Sequence, residues 1–431
     1  MFLSCFAFLA HVFLFDTSLH PAPSSCVIAS RPPARTTTLG PAPSEPRKYD
    51  LIVYGATGFT GTLVAKYLAA TAPPSLKFAL AGRSEAKLQA LASSISSRSV
   101  PIVVADGGDA AALKSLALSA TTVITTAGPY TLYGKPLLAA CALAGTNYAD
   151  LSGEFFFQKD MILEYDAAAA KSGAKIVIAS GYDSVPFDLG TDFALSLLDA
   201  RKCHWRGCEA NTRSGCGGES ASPASVALTK VTSVVTVCHG AASGGTIASA
   251  AQGLKDMYAG ITSGSMTLAD TQDPYMLVPE AKGFGLGCVA VDTEATGWGS
   301  LPRFDWTARV LGVPHFMAYI NSRVVRRSQY LLRPARRLSY REGMSVWSLV
   351  DAMLWGAPYF WSEKDKLGPA QGEGPSPDMQ LNGGFEVKIF AEERDAGGKQ
   401  VGDLVEIKCV GAGDPGACTC CCCFCCVHCV F

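Results

Sequence analysis

Six residues, Tyr49 to Tyr54 (YDLIVY), run directly into Gly55-Ala56-Thr57-Gly58-Phe59-Thr60-Gly61 and then into an amphipathic stretch. An apolar strand that turns on glycine and opens a helix limits the choice of fold more than any other feature of this chain. The first glycine allows a tight turn, the second lets backbone approach an anionic group, and the third lets the helix pack close to the strand. The N-terminus of such a helix offers unpaired N–H donors to anionic oxygens. A glycine-rich turn with no ligand is the bland alternative; the order of the surrounding elements argues against it.

Beyond Tyr49, short aliphatic or β-branched runs alternate with longer amphipathic stretches, the pattern of βαβ units. Strands are expected at Asp50 to Tyr54, Phe78 to Ala81, Ile102 to Ala105, Thr122 to Thr126, Asn147 to Asp150 and Lys175 to Ser180. Helices are expected at Gly61 to Ala70, Ser84 to Ser93, Ala110 to Leu118, Lys135 to Ala144 and Phe157 to Lys171. The fold class is therefore α/β, a Rossmann-type doubly wound parallel sheet followed by a second α/β domain.

The end of the second strand selects the ligand. A site for NAD places Asp or Glu there, on the ribose 2′-hydroxyl. Here the chain reads Ala81-Gly82-Arg83-Ser84, with Lys87 a turn later and no carboxylate before Glu85. A guanidinium with a nearby hydroxyl and ammonium suits a 2′-phosphate, so the expected cofactor is NADP, with NAD as the alternative. Asp106, at the end of the third strand, is expected on the adenine side, and Thr126-Ala127-Gly128-Pro129, after the fourth, beside the nicotinamide half. Hydride chemistry also needs a proton donor near the acceptor. Tyr130 is the first candidate and Asp183 the second. Neither sits in a known couple, since Gly134 stands where a Tyr-x-x-x-Lys pair would need lysine.

Composition bounds the rest. A length of 431 residues implies more than one domain. A formal net charge of -1 excludes a globally basic nucleic-acid binder, and a small-molecule enzyme fits better. Of 17 cysteines, eight crowd into the tail from Cys418 to Cys429, where adjacent thiols suit neither pairing nor one ion. A reading-frame error in an alanine-rich helix explains that tail best. Cys203, Cys208 and Cys216 beside His204 lack the paired knuckle spacing of a zinc site, so no metal is expected. Residues 1–47 read as a disordered or organelle-targeting leader: an apolar start with no preceding basic residue, then a Ser/Thr/Pro-rich stretch. The apolar start is shorter than the ~20 residues that cross a bilayer.

Further along, Ser243-Gly244-Gly245-Thr246 opens another helix, either to face an anionic or carbonyl group or to allow close packing. Asp183, Ser184 and Asp188 flank a helix start at Pro186, where capping is the simpler role for the first two. Arg323, Arg326, Arg327, Arg333, Arg336, Arg337 and Arg341, followed by Trp347, Trp355 and Trp361, suit a solvated helix before a core segment or a lipid headgroup surface.

Ten ordered blocks, among them YGATGFTG (54–61), AGRSEAKL (81–88), TTAGPYTLYG (125–134), NYADLSGE (147–154), GYDSVPFDLG (181–190) and GEGPS (372–376), resemble the saccharopine dehydrogenase-like oxidoreductases, including the trans-acting enoyl reductases. The resemblance runs from Tyr49 to Gly416. It implies an NAD(P)-binding domain at 48–190 and a substrate or lipid-associated domain at 191–416, between the leader at 1–47 and the aberrant Cys-rich tail at 417–431. It also implies a reductase acting on an enoyl or carbonyl group of a lipid-like substrate, with membrane or lipid-droplet association and a homodimer as further expectations. The alternative is a non-catalytic NADP-binding scaffold at a lipid surface. The Ala-rich helix that follows Asp-Pro-Gly in such proteins is absent here, and the 201–222 connection is longer, as a surface loop.

Overall fold

A computed structural model describes residues 46–95, 99–205, 226–278, 302–350 and 369–413, with backbone alone for 202–205. Residues 1–45 of the leader, Cys208, Cys216, Trp355, Trp361 and the Cys-rich tail lie outside the described residues.

Strand β1 (Tyr49–Tyr54) lies between β2 (Phe78–Gly82) and β4 (Ala120–Thr125). The sheet continues to β3 (Ile102–Val104) on one side and to β5 (Asn147–Asp150) and β6 (Ile176–Val177) on the other. The order β3-β2-β1-β4-β5-β6, parallel throughout, is the Rossmann order. Ile52 and Val53 point to opposite faces and both are sealed, which is why the strand reads as a continuous apolar run. Helices α1 (Phe59–Thr71), α2 (Glu85–Ile95), α3 (Ala110–Ser119), α4 (Tyr130–Ala144) and α5 (Phe155–Ser172) connect the strands.

Two boundaries differ from expectation for a local reason. Strand β6 stops at Val177 because Ala179 takes φ 55° and turns the chain toward Asp150. There the Ala179 N–H donates to Asp150 Oδ1 at 3.1 Å and the Ser180 N–H to the Asp150 carbonyl at 2.7 Å. Helix α4 starts at Tyr130, not Lys135, because the Glu154 carboxylate accepts the Tyr130 N–H at 2.8 Å and satisfies one of the N–H groups that a helix start leaves open.

After α6 (Val185–Trp205) a second sheet forms from β7 (Leu228–His239), β8 (Arg303–Asp305), β9 (Val310–Pro314), β10 (Leu338–Ser345), β11 (Gly384–Arg394) and β12 (Gln400–Ala412). Its order is β12-β11-β7-β10-β9-β8, with β7 and β10 parallel and the other pairs antiparallel. Helices α6 and α9 (Ala318–Leu332) cover it, burying Phe187, Leu195 and Val325 against Tyr340, Phe385 and Ile389. Helices α7 (Gly244–Ser263), α8 (Leu268–Gln272) and α10 (Pro377–Asn382) complete the described elements.

Most arginines of the basic stretch are turned inward, although Trp347 is 80% exposed. Arg323 and Arg326 are 0% and 2% exposed, and their guanidinium groups are occupied by main-chain carbonyls: Arg323 donates to Thr271 and Asp273, Arg326 to Ser322 and Tyr340. Arg327 donates to the Leu277 carbonyl at 2.7 Å. Arg333 pairs with Asp192, Arg336 with Asp199 and Arg341 with Asp305, which leaves Arg337 as the exposed arginine of the set. These cations tie α9 and β10 to their neighbours; a one-dimensional pattern shows their spacing but not the carboxylates and carbonyls brought in from elsewhere. Among the described residues, no helix is long and apolar enough to cross a membrane.

Candidate functional site

The glycine turn has the shape its spacing requires. Gly55 sits at φ 78°, and a side chain on Gly61 would place Cβ 2.2 Å from the Gly55 carbonyl oxygen, so both positions need glycine. Gly58 forms the N-cap of α1, and no side chain caps that end, so its first N–H groups face outward. Thr126 Oγ1 donates to the Gly55 carbonyl at 3.1 Å, fastening the turn to the loop after β4. This open, donor-rich cradle fits a dinucleotide pyrophosphate.

Arg83 is exposed just beyond β2. Its charge reaches the Tyr54 hydroxyl, as does that of Asp106: burial raises the Tyr54 pKa first, Asp106 adds to the rise and Arg83 opposes it. Arg83, Tyr54 and Asp106 therefore gather at one edge of the turn, where an adenosine ribose with an extra phosphate would meet a cation. Ser84 is half-buried beside Arg83, and Lys87 is exposed on α2. Asp106 is bent into its own turn, accepting the Gly108 N–H at 2.8 Å.

On the other side of Thr126, Gly128 opens onto a cavity of about 650 Å³. The helices and loops of the first part contribute Thr60, Thr126, Tyr130 and Glu154; those of the second part contribute Ser249, Leu254, Leu268, Phe316 and Tyr319. The segment 370–374 straps its edge: Gln371 Nε2 donates to the Gly128 carbonyl at 3.0 Å, the Gly244 N–H donates to the Glu373 carbonyl at 3.0 Å, and Gly374 lies flat against the Phe59 ring. Gly244 faces Ala370 so closely that a Cβ there would lie 1.9 Å from its carbonyl oxygen, while Gly245 and Thr246 border the cavity. The two readings of Ser243-Gly-Gly-Thr246 are thus divided between adjacent residues, with Ser243 capping α7 through the Thr246 N–H.

The proton-donor candidates separate clearly. The Tyr130 hydroxyl donates to the Thr125 carbonyl at 3.0 Å and accepts the Leu151 N–H at 3.2 Å, which joins the ends of β4 and β5. Asp183 borders the cavity; burial raises its carboxyl pKa and the charge of His315 partly offsets the rise. Ser184 does not serve as a local cap through its side chain, because its hydroxyl donates to Asn321 Oδ1 on α9 at 2.8 Å.

Several residues at the site carry no sequence signal of their own. Glu154, 5% exposed, accepts N–H groups from Tyr130 and Gly153, and burial pushes its pKa up against those hydrogen bonds and that of Ser249. Asp150, fully buried, accepts from Ser152, Tyr148 and Ala179, and burial raises its pKa as well. His315 Nδ1 lies 2.6 Å from Glu342 Oε1, both sealed from solvent, although 27 residues separate them. Glu154 stands inside a recognisable block, NYADLSGE, but the His–Glu pair has no spacing that could announce it. Among the described residues, no group of three or more His, Cys, Asp or Glu side chains gathers as metal ligands.

A parallel sheet in Rossmann order, a glycine cradle at its switch point and a cavity opening beside Gly128 define a dinucleotide-dependent oxidoreductase. Residues 51–177 match the model of the saccharopine dehydrogenase NADP binding domain. Over 312 residues, 71% of this chain and 67% of its relative, the sequence is 39% identical to a Mycobacterium tuberculosis protein named as a trans-acting enoyl reductase. A trans-acting enoyl reductase of Mycobacterium ulcerans is 46% identical over 148 residues, 34% of this chain and 35% of that protein. Among solved structures, apo saccharopine dehydrogenase (L-Glu forming) from Saccharomyces cerevisiae aligns over 86% of this chain and 88% of its own, with a TM-score of 0.41 and 11% identity. The chain belongs to the saccharopine dehydrogenase-like family that includes the trans-acting enoyl reductases, and it is an NADP-dependent oxidoreductase.

Proposed function

We propose that the protein reduces a polarised double bond, enoyl or carbonyl, in an apolar, lipid-like substrate. Bound NADPH supplies a hydride; the protein's task is to present the acceptor to it and keep water away. In this reading, the cradle of Gly55 to Gly61 holds the pyrophosphate and Arg83 with Ser84 and Lys87 the 2′-phosphate, while Asp106 lies toward the adenine. Thr126 to Pro129 carries the chain past the nicotinamide.

One observation carries the substrate class. The cavity that starts at Gly128 ends among Leu254, Leu268 and Phe316, which remain 64%, 67% and 68% exposed. Large apolar side chains left in water around a cavity mark a binding surface for an apolar partner. An acyl chain entering there would cover them. The names of the mycobacterial relatives point to an enoyl group, which supports the same class.

The test is NADPH oxidation with enoyl and keto lipids of increasing chain length. Turnover that improves with chain length supports the reading. A protein that binds NADPH and oxidises it with none of these substrates is instead the scaffold alternative.

A further inference from the structure

The cavity has a polar end that differs from its apolar mouth. Asp183 and Ser184 border it just before α6, and behind them lies a buried chain of hydrogen bonds. Ser184 Oγ donates to Asn321 Oδ1 at 2.8 Å, Asn321 Nδ2 donates to Glu342 Oε1 at 2.9 Å, and the Tyr340 hydroxyl donates to Glu342 Oε2 at 2.8 Å. The His315 ring completes the arrangement at 2.6 Å from Glu342 Oε1. A carboxylate only accepts, so Nδ1 carries the hydrogen of that bond. Phe187 stacks on the imidazole at 5.4 Å between centroids and Phe316 meets it edge-on at 4.5 Å, which fixes the ring plane.

We propose that Asp183 is the catalytic proton donor of this cavity, and that His315, oriented by Glu342, is the positioning residue behind it. The proposal rests on the reductase reading above. Reduction adds a hydride to one atom of the double bond and a proton to the other. The Asp183 O–H bond breaks as the new C–H or O–H bond forms, its electron pair stays on the carboxylate, and a solvent proton restores the acid once product has left. The hydride is the one NADPH supplies, so charge and electrons balance.

The other acids that line the cavity are engaged at least in part: the Tyr319 hydroxyl donates to the Thr271 carbonyl, and Asp256 on α7 accepts Gln252 Nε2 on Oδ1 at 2.8 Å, leaving only its Oδ2 without a partner. Tyr130 uses its hydroxyl to hold the ends of β4 and β5. Both Glu154 oxygens accept main-chain N–H groups, and such bonds favour the ionised form. Among the described residues, no hydrogen bond occupies the Asp183 carboxyl, and it borders the space where a substrate would lie. Burial keeps it protonated to higher pH than an ordinary carboxyl, and the His315 charge works against that rise. The titratable and charged groups that frame this end are Glu154 from before α5, His315 after β9, Tyr319, Arg323 and Arg326 on α9, and Tyr340 and Glu342 on β10. Of these, His315 is the one whose charge lowers the Asp183 pKa.

Three measurements on the full chain test the pair. Asp183→Asn should lower kcat about 10²–10⁴-fold, with the NADPH dissociation constant unchanged. His315→Gln removes a charge that lowers the Asp183 pKa, so the alkaline limb of kcat should move to higher pH while the plateau rate falls; a merely structural role would lower the plateau and leave the limb in place. Independently of turnover, the Asp183 carboxyl resonance, assigned by its loss in Asp183→Asn, should titrate at higher pH in His315→Gln than in the wild type. Circular dichroism and NADPH binding confirm that each variant is folded. An unshifted carboxyl titration in His315→Gln, or an Asp183→Asn protein with full kcat, overturns the proposal. If the wild type reduces nothing, the reductase reading fails instead, and the carboxyl titration still decides whether His315 acts on Asp183.

Discussion

At the scale of single residues, the proposed contact of Arg83 with the 2′-phosphate makes it the side chain that would choose between the two dinucleotides. A charge-assisted contact with a phosphate contributes about 1.5–3 kcal/mol, so Arg83→Asp should weaken NADPH binding roughly ten- to hundredfold while leaving NADH nearly unaffected. Fluorescence titration with both nucleotides measures this, and equal losses would remove Arg83 from the phosphate site. Asp188 makes a second, pH-dependent case. Its carboxyl is pushed up to about 7, chiefly by burial, with Ser328 donating to Oδ2 at 2.8 Å and Oδ1 left without a hydrogen-bond partner. The folded protein thus holds a proton that the unfolded chain has already released, so Asp188 costs stability progressively as pH rises through that window and its cost levels off above the folded pKa. Asp188→Asn should therefore raise the denaturation midpoint more at pH 8 than at pH 4; a gain that does not depend on pH would contradict the assignment. The place of Arg83 at the end of β2 was legible because strand ends and glycine turns lie together in sequence. Asp188 stood in a recognisable block, yet its retained proton comes chiefly from burial, which a one-dimensional pattern does not show.

At the scale of elements, α9 shows how a charge pattern misleads. Its arginines looked like a solvent or headgroup face, but Arg323 is sealed between Phe155 and Tyr319, with its guanidinium carbon 4.5 Å and 4.2 Å from their ring centroids. Arg323→Leu would leave the Thr271 and Asp273 carbonyls without their donor, and should destabilise the protein by about 3 kcal/mol in urea unfolding; a change close to zero would show that water replaces the guanidinium. The strap 370–374 is the element that joins the glycine turn to the second part of the chain. Gly374→Val would place a side chain on the Phe59 ring, where even a Cβ lies 2.3 Å from the nearest ring carbon. NADPH affinity should fall by more than overall stability, which parallel nucleotide titration and thermal melts separate. The strands and helices up to Ser172 follow sequence periodicity closely because each covers one face of a sheet whose order comes from βαβ connections. The second sheet was less readable, since β7 is parallel to β10 across a long excursion and β8 is three residues long. Its existence depends on pairings that local pattern does not encode.

At the scale of the whole molecule, function depends on two sheets presenting their helix starts and loops to one cavity. The first part brings the nucleotide cradle and the Glu154 network; the second brings apolar walls and the Asp183 end. A ligand that binds only the folded form stabilises it by about 2.7 kcal/mol at 100 times its Kd, so NADPH should raise the melting temperature at concentrations where NADH does not. The measurement that tests the central claim most directly is a crystal structure of the protein with NADPH. It should show the pyrophosphate over Gly58, the 2′-phosphate against Arg83 and the reactive nicotinamide face open to the cavity between Gly128 and Asp183. A nucleotide bound elsewhere, or a nicotinamide turned away from that cavity, would contradict the account.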